Sequence, residues 1–370
     1  MTMNESPEGD PVQQLHAWLA ELVEVRGSDL HVKVGSAPRI REEGRLRRLP
    51  RPSLTPEETE ALAGAVVPAW RRPVFDEKGE VDFAYSVSGL GRFRVNAFRQ
   101  RGSASLVFRL LRVGGQPVEE LGLPPIVAKL AEEQRGLILV TGPTGSGKTT
   151  TLAAMIEHIN RNRPVHIVTI EDPIEVLHAD HEALVVQREV GQDTGGFLAA
   201  IRAAMRQDPD VILIGEMRDP ETVMAALQAA ETGHLVLSTL HTTNAVETVN
   251  RVVDFFPPSQ QNQARVTLAS ALRGIVCQRL VPMANGGRIA AIEVLVNTGR
   301  VAERVLDPAL TAEIKDVIRD GGYYGMQTFD QSLLQLVESG RIDIDGAMAA
   351  SSEPHDFQLM LQQARLLATG

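Results

Sequence analysis

Near the start of the chain, Val12, Leu15, Trp18, Leu19, Leu22 and Val23 recur at the spacing of one helix face, which predicts an amphipathic helix over residues 12–25. The period then changes to two. Leu30, Val32 and Val34 before Gly35-Ser36, the alternation Val81, Phe83, Tyr85, Val87, and the alternation Leu106, Phe108, Leu110 read as strands with one apolar face. Such a sheet gives the helix a surface to pack on, so residues 12–111 are expected to form a small α+β domain. The polar, acidic stretch 1–11 before it is expected to be disordered. Gly114, Gly115 and Pro117 combine backbone freedom with a stiff stop and mark 112–118 as a linker.

From residue 119 the pattern changes again. The short aliphatic runs Leu137 to Val140, Ile167 to Ile170, Val211 to Ile214 and Leu235 to Leu237 alternate with helical segments. That is the signature of an α/β core whose parallel sheet is covered on both faces. Beyond about residue 300 helices take over, with Glu313 to Arg319, Gln331 to Val337 and Phe357 to Leu367 set between Gly-rich breaks. The second domain is thus expected over 119–370. No internal repeat or low-complexity tract interrupts it.

Composition narrows the setting. At 370 residues and 43% hydrophobic content the chain can bury two cores, and 4% aromatic content makes them mainly aliphatic. The single cysteine, Cys277, excludes an intramolecular disulfide and a paired-cysteine zinc site. The N-terminus lacks the basic start and apolar run of a signal peptide, and no apolar stretch approaches the length of a membrane span. A cytoplasmic protein with at most peripheral membrane association is expected. The net charge of −10 disfavours broad electrostatic binding to nucleic acid.

The candidate chemistry begins at Gly142-Pro143-Thr144-Gly145-Ser146-Gly147-Lys148-Thr149, followed by Thr150. This run fits the phosphate-loop spacing, and it lies between an apolar strand and a helix, the context the motif requires. Its glycines let backbone N–H groups converge on phosphate oxygens, Lys148 reaches the β and γ phosphates, and the Thr149 hydroxyl is suited to a Mg²⁺ ion. A Mg²⁺-dependent NTPase also needs carboxylates at neighbouring strand ends. Glu171, after Ile167 to Ile170, and Glu216, after Val211 to Gly215, occupy such positions. Alone, acids after a strand are more often loop residues or helix caps. Beside a phosphate loop they become candidates for general base (Glu171) and for magnesium shell and water orientation (Glu216), two roles they could exchange.

In order along the chain stand the phosphate loop, Glu171-Asp172-Pro173-Ile174-Glu175, Asp210 to Asp219, and Ala230-Glu231-Thr232-Gly233-His234 continuing through Ser238 to Thr242. This order resembles the Walker A, Asp, Walker B and His boxes of the type IV pilus and type II secretion ATPase family. Gly91 to Asn96, Cys277 to Pro282 and Gly325 to Leu333 extend the likeness over most of the chain. The resemblance implies a RecA-like P-loop NTPase core with a helical C-terminal region and a smaller N-terminal α+β domain of PAS-like form. It implies ATP hydrolysis with Mg²⁺ by a homo-hexamer at the cytoplasmic face of the inner membrane, acting on a platform protein and, indirectly, on pilins. The short N-terminal region, the lack of a cysteine-rich zinc insertion and the Gly325 to Leu333 run are similar to motors that retract type IV pili in twitching motility.

A lone histidine is more often structural than catalytic. The resemblance nevertheless implies that His234 senses the γ-phosphate or couples the site to a neighbouring subunit, and extends only partly to His241. Arg92, Arg94, Arg99, Arg101 and Arg109 read by themselves as the solvated face of a β-hairpin. By resemblance Arg94 and Arg109 are arginine fingers, brought to the ATP of their own chain by the linker. The competing readings are a pilus-extension or secretion motor of the same family, and a nucleic-acid translocase on a RecA-like core, which DNA-stimulated hydrolysis would reveal. A pseudo-enzyme scaffold is disfavoured because every box keeps its chemical residues.

Overall fold

The computed structural model describes residues 10–368, with side chains described to residue 364. Of the disordered tail expected over 1–11, residues 1–9 lie outside the described residues. Asp10 and Pro11 belong to the first helix: the Asp10 carboxylate accepts the Val12 N–H at 3.0 Å and Pro11 takes the first helical position, where its missing donor costs nothing. Contacts divide the chain into two units, Met1–Arg112 and Val113–Gly370.

The first unit runs α1 (Pro11–Glu24), β1 (Asp29–Lys33), β2 (Arg39–Glu42), β3 (Arg45–Arg48), α2 (Pro56–Val66), α3 (Arg72–Lys78), β4 (Glu80–Val87), β5 (Gly91–Gln100) and β6 (Ser103–Leu110). Among the described residues its strands form one six-stranded antiparallel sheet in the order β3-β2-β1-β6-β5-β4. Leu15, Trp18, Leu19 and Leu22 of α1 are buried in one cluster with Leu30, Val32, Phe83, Phe93, Val95 and Phe108 from the sheet. The alternate residues of the same strands, among them Arg94 and Arg109, are left on the other face.

A short strand β7 (Arg112–Val113) spans the boundary. The second unit continues with α4 (Pro125–Ala131), β8 (Gly136–Thr141), α5 (Lys148–Asn162), β9 (His166–Glu171), β10 (Val176–Leu177), β11 (Leu184–Glu189), α6 (Phe197–Ala204), β12 (Val211–Ile214), α7 (Pro220–Glu231), β13 (Leu235–Leu240), α8 (Ala245–Asp254), α9 (Pro258–Ala271), β14 (Leu272–Pro282) and β15 (Arg288–Val296). The helices α10 (Gly299–Leu306), α11 (Ile314–Asp320), α12 (Phe329–Glu338), α13 (Ile344–Ala350) and α14 (Pro354–Ala368) follow. Among the described residues the sheet has seven strands, β11-β9-β12-β13-β8-β14-β15, parallel throughout except for β15, which returns antiparallel to β14. Every residue of β8, β12 and β13 is buried, as expected of strands covered on both faces.

The structure differs from the sequence reading at both flanks of this core. β14 and β15 form a long hairpin that apolar runs alone did not announce, because Arg273, Gln278, Arg279 and Glu293 interrupt them. Each of these polar groups has a structural partner: the Gln278 amide donates to the Ser146 carbonyl at 2.6 Å, the Glu293 carboxylate accepts the Ala245 N–H at the start of α8 at 2.8 Å, Arg273 donates to the Leu272 carbonyl at 3.0 Å and Arg279 to the Ala350 carbonyl at 3.0 Å. The C-terminal helices extend past their apolar stripes where caps allow. Thr328 and Gln331 form a reciprocal capping box that starts α12 at Phe329.

The segment read as a flexible linker, 112–118, is also more constrained than its glycines suggest. Gly114 donates its N–H to the Leu177 carbonyl at 2.7 Å. Gly115 lies against α5 so closely that a Cβ there would fall 2.2 Å from the Ala153 carbonyl oxygen. Its glycine therefore serves close backbone packing as much as freedom. Gly115→Ala should lift the segment from α5, and amide hydrogen exchange over residues 113–118 should accelerate on the order of tenfold or more relative to the wild type.

Candidate active site

The site is built at the carboxyl ends of the parallel strands. β8 is an entirely buried strand, and its chain emerges into the loop Gly142 to Gly147 before α5 begins at Lys148. At Gly142 any side chain is excluded, since a Cβ would meet the Gln278 carbonyl oxygen at 2.4 Å and the Ser146 Oγ at 2.6 Å. The loop is thus pressed onto β14 on one side, while Pro143, Thr144 and Gly145 are exposed on the other. A cavity of about 520 Å³ opens there, and Lys148, Thr149, Glu171, Glu216, Arg218 and His241 are among its walls. Thr144, Gly145, Gly147 and Thr150 line it as well.

Lys148 Nζ donates to the carbonyls of Gly142 and Pro143 at 2.8 and 3.1 Å and stands 3.5 Å from His241 Nδ1. Partial burial lowers its pKa, opposed by the charge of Glu216. Glu216 follows β12 and is gripped from two sides, by Arg218 at 2.7 Å and by His241 Nε2 at 3.2 Å. The Arg218 hydrogen bond, with the charges of Arg218, His241 and Lys148, keeps its carboxyl below the usual range despite some burial. Lys148, His241, Glu216 and Arg218 therefore make one continuous line of alternating partners across the cavity.

Glu171 has a different environment. At the end of β9 it is buried, and its Oε1 accepts from the Thr169 hydroxyl at 2.7 Å and the Gln187 amide at 3.1 Å. Burial raises its pKa, with the Thr169 and Gln187 hydrogen bonds opposing. The two carboxylates are thus held apart chemically. Glu216 is kept ionised by cations, whereas Glu171 is a dry carboxylate oriented by neutral donors, and a raised pKa is what proton abstraction near neutral pH favours.

His234 is placed elsewhere. It precedes β13 at the amino end of the sheet, where its carbonyl accepts the Gly136 N–H at 3.0 Å and its Nδ1 lies 3.0 Å from the Ala229 carbonyl. The parallel register of β13 with β8 puts it at the opposite end of these strands from the phosphate loop, about 20 Å away at the usual rise per residue. The expectation that His234 senses the γ-phosphate is corrected accordingly, because the buried length of the sheet lies between them. His241, at the other end of β13, is the histidine in the cavity. Arg94 and Arg109 face each other across β5 and β6 in the first unit. Arg109 Nε donates to the buried Asp29 at 2.8 Å, and Arg94 lies 3.9 Å from Asp82.

Three contributors escaped the sequence reading. Arg218 was open to discovery, being a cation two residues after a strand-end acid. Gln187, on β11, gave no signal, since a glutamine inside a strand has no periodicity or spacing that marks it, and Gln278, on β14, fell within the Cys277 to Pro282 likeness but was given no role.

The model of the type II/IV secretion system protein family matches residues 8–322. The type IV pilus retraction ATPase PilT of Pseudomonas aeruginosa is 44% identical over 330 residues, 89% of this chain and 96% of the relative. The chain belongs to the type II/IV secretion system protein family. A twitching motility protein of Neisseria gonorrhoeae is 45% identical over 323 residues, 86% of each chain. A crystal structure of the pilus retraction motor PilT with bound ADP superposes with a TM-score of 0.83 at 45% identity, covering 91% of this chain and 96% of that one. This member of the type II/IV secretion family is accordingly a PilT-like P-loop ATPase with an α/β core.

In a P-loop of this family Gln278 should matter through Ser146. Gln278→Leu leaves a buried carbonyl without its donor, a loss of about 1–3 kcal/mol. Fluorescent-nucleotide titration should accordingly record an affinity lower by roughly tenfold or more, whereas His234→Ala should leave it unchanged.

Proposed function

We propose that this chain is an ATP-hydrolysing motor that powers retraction of type IV pili. The observation that carries the reading is the meeting of Lys148, Thr149, Glu171 and Glu216 in one cavity, in a chain aligned over 89% of its length with a pilus retraction ATPase. ATP would lie with its phosphates over the Gly142 to Thr149 loop. Lys148 would exchange the Gly142 and Pro143 carbonyls for phosphate oxygens. The residues suited to Mg²⁺ are Thr149, whose hydroxyl is exposed at the start of α5, and Glu216, whose charge is maintained by Arg218 and His241. Bound there, the ion would supply charge neutralisation at the β and γ phosphates.

Hydrolysis needs an oriented water and compensation of charge on the transferring phosphoryl group. Glu171 takes the proton of the attacking water, its Oε1 held by Thr169 and Gln187. Arg94 and Arg109 complete the neutralisation in cis, Arg109 leaving Asp29 to do so. His234, far from the phosphates, couples the site to a neighbouring subunit of a homo-hexamer. The assembly works at the cytoplasmic face of the inner membrane on a platform protein, and through it on pilins.

Deletion of the gene tests the direction of work. Cells should carry excess surface pili and lose twitching motility, while bald cells would assign the chain to extension. The arginines have their own test. Arg94→Ala or Arg109→Ala should cut turnover by roughly 10³-fold or more, and mixing Arg94→Ala with Lys148→Ala subunits should restore nothing, because no cis site in the mixture is complete.

A further inference from the structure

Behind the cavity, a second set of hydrogen bonds runs from the first residues of the second unit to the carboxylate proposed as general base. It starts at Gly114 and Gly115. Gly114 donates to the Leu177 carbonyl at the end of β10, and the Gly115 N–H is hydrogen bonded to the Glu157 carboxylate on α5, the helix that the phosphate loop begins. Glu157 is 2% exposed, an unusual setting for a carboxylate outside the reacting centre. It is held there by Arg161 Nε at 2.6 Å, by His178 Nδ1 at 3.4 Å and by His181 Nε2 at 3.4 Å.

His178 carries the path onward. Its ring, as buried as the side chain of Glu157, is anchored on that carboxylate, and the anchored residue's backbone N–H donates to Gln187 Oε1 at 2.8 Å. The Gln187 amide nitrogen then donates in two directions, to the Val176 carbonyl at 2.8 Å and to Glu171 Oε1 at 3.1 Å. Every polar atom of this amide is engaged, so its orientation is fixed: the oxygen must face His178 and the nitrogen must face Glu171. A reversed amide would set oxygen against carboxylate.

We infer that Gln187 is a positioning residue for Glu171, and that Glu157 and His178 transmit to it the seating of the Gly114–Gly115 segment. With the segment seated, Glu157 keeps its backbone donor, His178 is immobilised between Glu157 and Gln187, and Glu171 receives its second side-chain donor. With the segment lifted, Glu157 loses the Gly115 N–H, His178 is released, and Gln187 no longer presents its nitrogen to the base. Gly114 and Gly115 directly follow Val113, where the second unit begins, so a displacement of the chain there would reach the hydrolytic centre without altering the phosphate loop.

The inference rests on Glu171 being the base, and the experiment separates the two. Steady-state ATP hydrolysis and fluorescent-nucleotide affinity are measured on the purified full-length protein. Gln187→Leu should lower kcat roughly tenfold to a hundredfold, the effect of removing one donor from a buried carboxylate, with nucleotide affinity unchanged. His178→Leu should lower kcat in the same way, whereas His178→Asn, whose amide nitrogen can replace Nδ1, should recover most of it. The double variant Gln187→Leu with His178→Leu should be no worse than Gln187→Leu alone, as for members of one path. A wild-type kcat in Gln187→Leu, a loss confined to nucleotide affinity, or fully additive losses in the double variant would overturn the inference. Should Gln187→Leu fail to fold, Gln187→Met, which keeps the chain length and removes both polar atoms, is read by the same criteria. Glu171→Gln is the control: if it hydrolyses ATP normally the base assignment fails, and if it is inactive while Gln187→Leu is normal only the positioning role fails.

Discussion

A phosphate loop must present its backbone N–H groups outward at the end of a strand buried on both faces, and much of the second unit answers that requirement. β8 can be wholly buried because its neighbours on either side, β13 and β14, satisfy its backbone. The loop that follows cannot be. It is held from beneath by Gln278 on β14 and is kept without a side chain at Gly142, where β14 approaches. Two of the polar residues that break the apolar pattern of the β14–β15 hairpin, Gln278 and Glu293, thus support the loop and the start of α8 from strands that otherwise read as core. Here packing and chemistry are the same interaction seen from two sides.

The second constraint is electrostatic. Two carboxylates at adjacent strand ends would tend to titrate alike unless their surroundings pushed them apart. Glu216 has the Arg218 guanidinium on one oxygen and the His241 ring on the other, and remains a charge for a metal or a bound water. Glu171 has neutral donors and burial, which leave it ready to accept a proton. The division of labour proposed for them rests on what each strand end faces, Arg218 and His241 in one case and Thr169 and Gln187 in the other. The sequence does not distinguish the two carboxylates, whereas their surroundings in the fold are chemically distinct.

Most of the second unit was legible before its structure, because buried parallel strands announce themselves as aliphatic runs and the phosphate loop has a fixed spacing. The strand-end acids were legible for the same reason. What the sequence withheld was the pairing of distant polar residues. Gln187 and Gln278 are meaningful only through the carboxylate and carbonyl they reach across the sheet, and His234 and His241, both near the ends of one strand, differ only in which end of the sheet they occupy. A strand has a direction, and residues a few positions apart can be separated by its whole length. The linker misled in the opposite sense: Gly115 was read as freedom, yet it permits contact with α5.

The most direct measurement is a crystal structure of the full chain with Mg²⁺ and a non-hydrolysable ATP analogue. Lys148 Nζ should leave the Gly142 and Pro143 carbonyls and lie within hydrogen-bond distance of phosphate oxygens, with a water in line with the γ-phosphate hydrogen bonded to Glu171. A nucleotide bound outside the cavity, or an in-line water held by another group while Glu171 faces away, would contradict the assignment of this site as the place where ATP is hydrolysed.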